Sequence, residues 1–148
     1  MPTLFDSRIR ASILDRIARL TPEQRPRFGS FTAPQMICHV SASLSQALGD
    51  LDASPRAGPF SRFPINWLII YVVPWPGGKG TSPPEFLASL PGTWGADCER
   101  LYALIERFCA RGPNASWPAS PVFGRISGRD WGVMQHKHLN HHLRQFGV

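Results

Sequence analysis

The chain has 148 residues, of which 43% are hydrophobic and 18% are charged, and its formal net charge at pH 7 is +6. This length and balance are typical of one folded globular domain and exclude a disordered chain. The longest apolar run, at 65–73, is far shorter than the roughly 20 residues that a membrane-spanning helix needs, so no membrane association is predicted.

The cysteines and the positive charge bear on location and partners. Cys98 and Cys109 share one predicted helix and lie about 16 Å apart along it, so they cannot form a disulfide. Reduced thiols favour a cytoplasmic protein. The sixteen lysines and arginines are scattered rather than gathered in a patch with aromatic residues. We therefore expect a solvated basic surface, and nucleic-acid binding is the weaker alternative.

The first half of the chain contains two predicted helices. Thr3 and Asp6 have capping-box spacing, and the helical pattern that follows predicts a first helix over residues 4–20. A second capping box begins at Thr32, and its helix ends at Gly49, a natural stop.

Residues 50–90 are rich in proline and glycine around the apolar stretch INWLIIYVV, whose composition permits either a strand or a short buried helix. A third long helix is predicted from Trp94 to Gly112, and a capping box precedes a fourth helix over residues 128–145.

Four principal amphipathic helices, with no internal repeat and no hairpin signal, predict an all-α fold. We expect a single domain over residues 1–148, built as an up-down four-helix bundle. Its second and third helices are joined by a long, Pro/Gly-rich crossover.

Four of the five histidines lie in the last thirteen residues, HKHLNHHLRQFGV. His138 and His142 are one turn apart on one face of the fourth helix, with Cβ atoms about 5 to 6 Å apart, a spacing that suits two ligands of one metal ion. His39, on the second helix, becomes a third ligand if that helix packs against the fourth. The alternatives are a polar helix end and, for His39, an ordinary hydrogen-bonded histidine beside the core.

The remaining polar and aromatic residues of the region divide by helix face. Trp131 and Gln145 project on the same side as the two candidate ligands, and Ser43 lies beside His39 on the second helix. His136 and His141 fall on other sides of the fourth helix. Three neutral imidazoles suit Zn, Ni, Fe or Cu and leave coordination positions open, as catalytic sites require.

Three segments resemble a subgroup of bacterial proteins in the DinB/YfiT-like superfamily of metalloenzymes: CHVSASLSQALG, PWPGGKGTSPPE and FGRISGRDWGVMQHKHLNHHLRQFGV. The resemblance runs from about Phe28 to residue 148 and implies a DinB-like four-helix bundle of up-down-down-up type, often dimeric. It also implies a divalent metal ion, Zn, Ni or Fe, held by His39, His138 and His142. The chain departs from the superfamily pattern at Leu143, which precedes Arg144 where an arginine usually follows the last ligand directly.

Characterised members of this superfamily are metal-dependent transferases or isomerases that use a low-molecular-weight thiol such as mycothiol, bacillithiol or glutathione. The resemblance therefore implies a homodimer that takes a small-molecule ligand or a thiol. A non-catalytic dimeric bundle that binds metal or a small ligand is the alternative, and non-specific nucleic-acid association is a third. The residues expected around the metal or in a substrate pocket are Gln145, Arg144, His141, Trp131 and Ser43.

Overall fold

The computed structural model describes residues 1–56, 58–75 and 84–148. Their regular structure consists of five α-helices: α1 (Ser7–Ala18), α2 (Ala33–Leu48), α3 (Ile65–Tyr71), α4 (Trp94–Arg111) and α5 (Gly128–Gln145). Single-turn 3-10 helices at Pro59–Ser61 and Pro84–Phe86 flank α3. The described ranges contain no strand, only an isolated bridge between Ser120 and Gly124, so the all-α class is confirmed. None of the helices they contain is long and apolar enough to cross a membrane.

Helix α2 lies in the middle of the bundle, in contact with α4 and α5. The predicted capping box is present, since the side chain of Thr32 accepts from the N–H of Gln35 and the side chain of Gln35 accepts from the N–H of Thr32. Gly49 ends the helix with φ +86°, a left-handed conformation that glycine adopts without strain. Thirteen of its sixteen residues are buried, and its serines and alanines let neighbouring helices approach closely.

Helix α5 begins and ends where the sequence predicts. Ser127 and Asp130 form its capping box. Its glycines allow close contacts: a Cβ at Gly128 would lie 2.5 Å from Trp117 Nε1, and one at Gly132 would lie 2.5 Å from Phe5 Cδ2. Helix α5 contacts α1 and α3 in addition to α2.

The predicted bounds of the first helix are wrong. Helix α1 covers Ser7–Ala18, and its N-cap is Asp6, whose side chain accepts from the N–H groups of Arg8 and Ile9. Thr3 does not cap the helix because the chain before it is fixed elsewhere: Leu4 is fully buried, and its N–H donates to the carbonyl of Gly132 at 3.1 Å.

The crossover between α2 and α4 contains a helix where composition left strand and helix open. Ile65–Tyr71 forms α3, and the ammonium group of Lys137 on α5 donates to the carbonyls of Ile69, Ile70 and Val73 at 2.9 to 3.1 Å. This lysine satisfies carbonyls that the end of a helix leaves without partners. Most of the PWPGGKGTSPPE stretch, residues 76–83, lies outside the described residues.

The helices enclose one apolar core, which includes Ile13 of α1, Leu44 of α2, Ile105 and Phe108 of α4 and Leu139 of α5. This is a helical bundle, as predicted. The up-down-down-up order implied by the resemblance stays a prediction.

Candidate metal centre

The bundle brings together three histidines from two helices. His39 on α2 faces His138 and His142 on α5, and the three ring centroids lie 4.9 Å apart in every pair. All three side chains are buried, with 2 to 7% of their surface exposed. One nitrogen atom from each ring lies within 4.8 Å of the others, so the cluster can hold one metal ion.

Each of the three rings has an oxygen atom next to its outward nitrogen. His39 Nδ1 lies 3.4 Å from the carbonyl oxygen of Phe86, and His142 Nδ1 lies 2.8 Å from Gln145 Oε1. His138 Nδ1 lies 3.2 Å from Ser43 Oγ. Because a carbonyl oxygen only accepts, the hydrogen belongs on the Nδ1 of His39, and its Nε2 presents a lone pair to the centre. Metal-binding histidines commonly have such an outer partner.

Gln145 fixes the orientation of His142 in the same way. Its amide nitrogen donates to the carbonyl of Phe28 at 2.8 Å, which leaves its oxygen to accept from the ring. Gly29, with φ +74°, makes room for this amide, since a Cβ there would lie 2.5 Å from Gln145 Nε2. The segment before α2 therefore helps to set the tautomer of a candidate ligand.

Gln135 is a site residue that the sequence did not single out. It is 1% exposed, and its amide nitrogen donates to Ser43 Oγ at 3.1 Å and approaches the Ser43 carbonyl oxygen at 3.4 Å. This contact holds the hydroxyl that faces His138. The available signal was its position three residues before His138 on the same helix face.

Burial keeps the cluster neutral. It lowers the pKa of His39 to about 4 and that of His142 to about 3, and it holds the pKa of His138 well below the ordinary value. The mutual repulsion of the rings in their charged forms adds to the effect at His138. At neutral pH these are uncharged imidazoles, the form that binds a metal ion.

The inward nitrogens fit a cation. His39 Nε2 and His138 Nε2 are 3.0 Å apart, a distance at which two facing lone pairs repel unless a proton or a metal ion lies between them. Three nitrogen donors suit Zn, Ni or Fe, and three protein ligands leave further positions of the ion open. The donor set therefore fits the group that the sequence implied.

Aromatic side chains surround the three rings. The ring centroid of Phe31 lies 5.0 Å from that of His39, and Trp75 lies 5.4 Å from His138. Phe86 lies 6.2 Å from His39. These residues come from the segments before α2 and before α4, and they shield the cluster from water.

The other residues expected around the metal or in a pocket differ in burial and in their distance from the three histidines. His141 is half-buried with its ring centroid 5.0 Å from that of His142, and Arg144 is exposed on the wall of a neighbouring cleft. Trp131 is fully buried; it packs against Trp117, and its indole N–H donates to the carbonyl of Pro118 at 3.1 Å. These contacts place Trp131 in the core of the bundle.

Across the ranges that the structure describes, fold and site define a helical bundle with a buried three-histidine candidate metal centre. No family model, curated protein or solved structure matches the chain. The DinB-like assignment therefore stays a prediction that rests on the sequence motifs.

Proposed function

We propose that the protein is a metal-dependent enzyme of the S-transferase or isomerase type, in which His39, His138 and His142 hold one divalent metal ion. A low-molecular-weight thiol is the proposed co-substrate, as the resemblance to the DinB-like superfamily implies. The observation that carries the proposal is the convergence of three neutral, buried imidazoles, each with an oxygen atom at its outward nitrogen.

The residues of the chain do three things in this proposal. The histidines provide the nitrogen ligands, and the oxygens of Phe86, Ser43 and Gln145 hold the rings in position. The aromatic side chains keep water away from the centre. A divalent ion held by these three histidines would supply Lewis-acid chemistry that favours the thiolate form of a thiol.

The nearest protein thiol does not offer itself as the nucleophile. Cys38 precedes His39 on α2, so its side chain points about 100° away from that of His39 around the helix. Its Sγ lies 4.0 Å from Asp97 Oδ2. Burial and the negative charge of Asp97 raise the pKa of this thiol, which opposes thiolate formation. A thiol from a small molecule is therefore the better candidate for the nucleophile.

Elemental analysis of untagged protein tests the metal site. We expect about one equivalent of Zn, Ni or Fe in the wild type and little metal in His39→Gln or His138→Gln. The matched control is His136→Gln, which removes a histidine of the same helix that is not part of the cluster and should retain the metal. Equal metal content in all four proteins would rule out the site.

Turnover then separates an enzyme from a binding protein. Metal-loaded protein is mixed with a model electrophile and, in turn, with mycothiol, bacillithiol and glutathione. A rate above that of the uncatalysed reaction, lost in His138→Gln, supports the transferase. If metal-loaded protein shows no rate above the uncatalysed reaction with any of the thiols, the result supports the non-catalytic bundle.

A further inference from the structure

A cleft of about 530 Å³ lies beside the candidate metal centre, at the C-terminal end of α5. It shares a wall with the centre, because Trp75 and His141 line the cleft and also contact the candidate ligands: Trp75 lies 5.4 Å from His138, and His141 lies 5.0 Å from His142. The volume is in the range of sites for small molecules.

Positive charge collects around this cleft. Arg27, Lys137 and Arg144 line it, and the described residues contribute no Asp or Glu side chain to its wall. Arg16 stands next to them, and its guanidinium group donates to Asn140 Oδ1 and to the main-chain oxygen of Val148, both at 2.8 Å. A concave surface whose charged side chains are basic concentrates ligands of the opposite sign.

Two of these cations have unused donors. Lys137 donates to three carbonyls at the end of α3. The guanidinium groups of Arg27 and Arg144, in contrast, donate to no acceptor within the described parts of the chain.

Trp75 adds an unused neutral donor. Its indole Nε1 is buried and has no hydrogen-bond partner among the residues that the structure describes. A buried N–H without an acceptor destabilises the protein, and a ligand oxygen in the cleft would satisfy it.

We propose that this cleft binds the carboxylate or phosphate group of a small anionic ligand, with Arg27 and Arg144 as its charged partners. The proposal builds on the proposed function, because the anion then anchors a substrate or thiol whose other end reaches the histidines past Trp75 and His141. A guanidinium group matches the two oxygens of such an anion in a planar, paired contact.

Two thiols with the same three-carbon chain test the subsite: 3-mercaptopropionate, which ends in a carboxylate, and 3-mercapto-1-propanol, which ends in a neutral hydroxyl. Each is titrated into ¹⁵N-labelled protein, with and without zinc, while the indole N–H signal of Trp75 is followed, assigned by its loss in Trp75→Phe. We expect the carboxylate to bind about fivefold more tightly or better, and more salt to reduce the difference.

The double variant Arg27→Gln/Arg144→Gln should abolish this preference. Arg8→Gln/Arg129→Gln, which removes two exposed charges elsewhere, should keep it. Equal affinities in the wild type, or a preference that survives in the first double variant, would overturn the proposal.

Metal content is measured on the same samples, so the two proposals fail separately. If the protein binds no metal but prefers the carboxylate, the anion subsite is supported and the proposed function is contradicted. If the protein binds metal but shows no preference, the anion subsite is contradicted and the proposed metal site is supported. A short DNA duplex that shifts the Trp75 signal and displaces 3-mercaptopropionate would overturn the small-ligand subsite in favour of a nucleic-acid surface.

Discussion

His39 and His138 are 99 residues apart in the chain, and their Nε2 atoms are 3.0 Å apart in the fold. Neither side chain is free to turn away, because the outward nitrogen of each ring has its own oxygen partner. The pair is therefore preorganised for a shared cation, and its supporting residues are as testable as the ligands themselves.

Two serines on α2 provide a matched test of that support. Ser43→Ala removes the hydroxyl that faces His138, and we expect the affinity for zinc to fall about 10-fold or more. Ser41→Ala is the control, since its hydroxyl is buried without a partner among the described residues and its loss should leave the affinity unchanged. Competition with a chromophoric chelator measures both. Equal affinities for the two variants would show that Ser43 does not position the ring.

Gln145→Met tests the orientation of His142. Methionine has a similar shape but neither accepts from the ring strongly nor donates to the carbonyl of Phe28. We expect a loss of 10- to 100-fold in zinc affinity, since partners of metal-binding histidines have effects of about this size. The same chelator competition gives the number, and circular dichroism checks that the helices are retained. A variant that binds zinc as the wild type does would contradict the assigned role.

The sequence predicted much of this site because its signals are local. Ser127 caps α5, so the register of the helix and the common face of His138 and His142 follow from the spacing alone. His39 could be proposed as their partner because it is the only histidine outside the C-terminal stretch of residues 136–148. Its actual approach depends on packing between α2 and α5, which only the structure shows.

The aromatic residues around the site reach it from the segments that connect the long helices. Phe31, Trp75 and Phe86 contact the histidines from segments whose paths no periodicity describes. Trp131 was expected near the ligands because it projects on their side of α5. It precedes His138 by two turns, however, which is about 10 Å along the axis, and this distance places it in the core.

The metal-free protein should lose stability as the pH falls. Burial lowers the pKa of His39 to about 4, whereas the unfolded chain has the ordinary value of 6.5. Between these values the unfolded state binds more protons, so the contribution of His39 is complete above pH 6.5 and is lost as the pH falls towards 4. One such group adds at most about 1.4 kcal/mol per pH unit to the slope of the free energy of unfolding against pH.

Urea unfolding of the metal-free protein at several pH values measures this slope. Because His136, His141 and the other two ligands contribute in the same direction, the informative quantity is the difference between the wild type and His39→Asn. We expect a shallower slope in the variant. Parallel curves would mean that His39 carries no proton-linked free energy of folding.

Two glycines in helices should respond to alanine with opposite signs. At Gly132 a Cβ would lie 2.5 Å from Phe5 Cδ2, so Gly132→Ala should destabilise the fold by about 1 to 3 kcal/mol through overpacking. At Gly95 on α4 a Cβ meets nothing within 4 Å, and Gly95→Ala should stabilise the helix by about 0.5 to 1 kcal/mol. Urea unfolding gives both values, and a stabilising Gly132→Ala would contradict the close approach of the N-terminal segment to α5.

Lys137 couples the crossover to the site. Its ammonium group holds the carbonyls at the end of α3, and the chain continues directly to Trp75, which packs against His138. Lys137→Met keeps most of the apolar stem but leaves these carbonyls without a donor. We therefore expect the free energy of unfolding to fall by about 1 to 3 kcal/mol. The indole signal of Trp75 should broaden or move towards that of an exposed tryptophan, and proteolysis between α2 and α4 should accelerate. Lys137→Arg, which restores the charge and donors, should recover part of both properties. An unchanged Trp75 signal in Lys137→Met would show that packing of the ring on His138, rather than the lysine, sets its position.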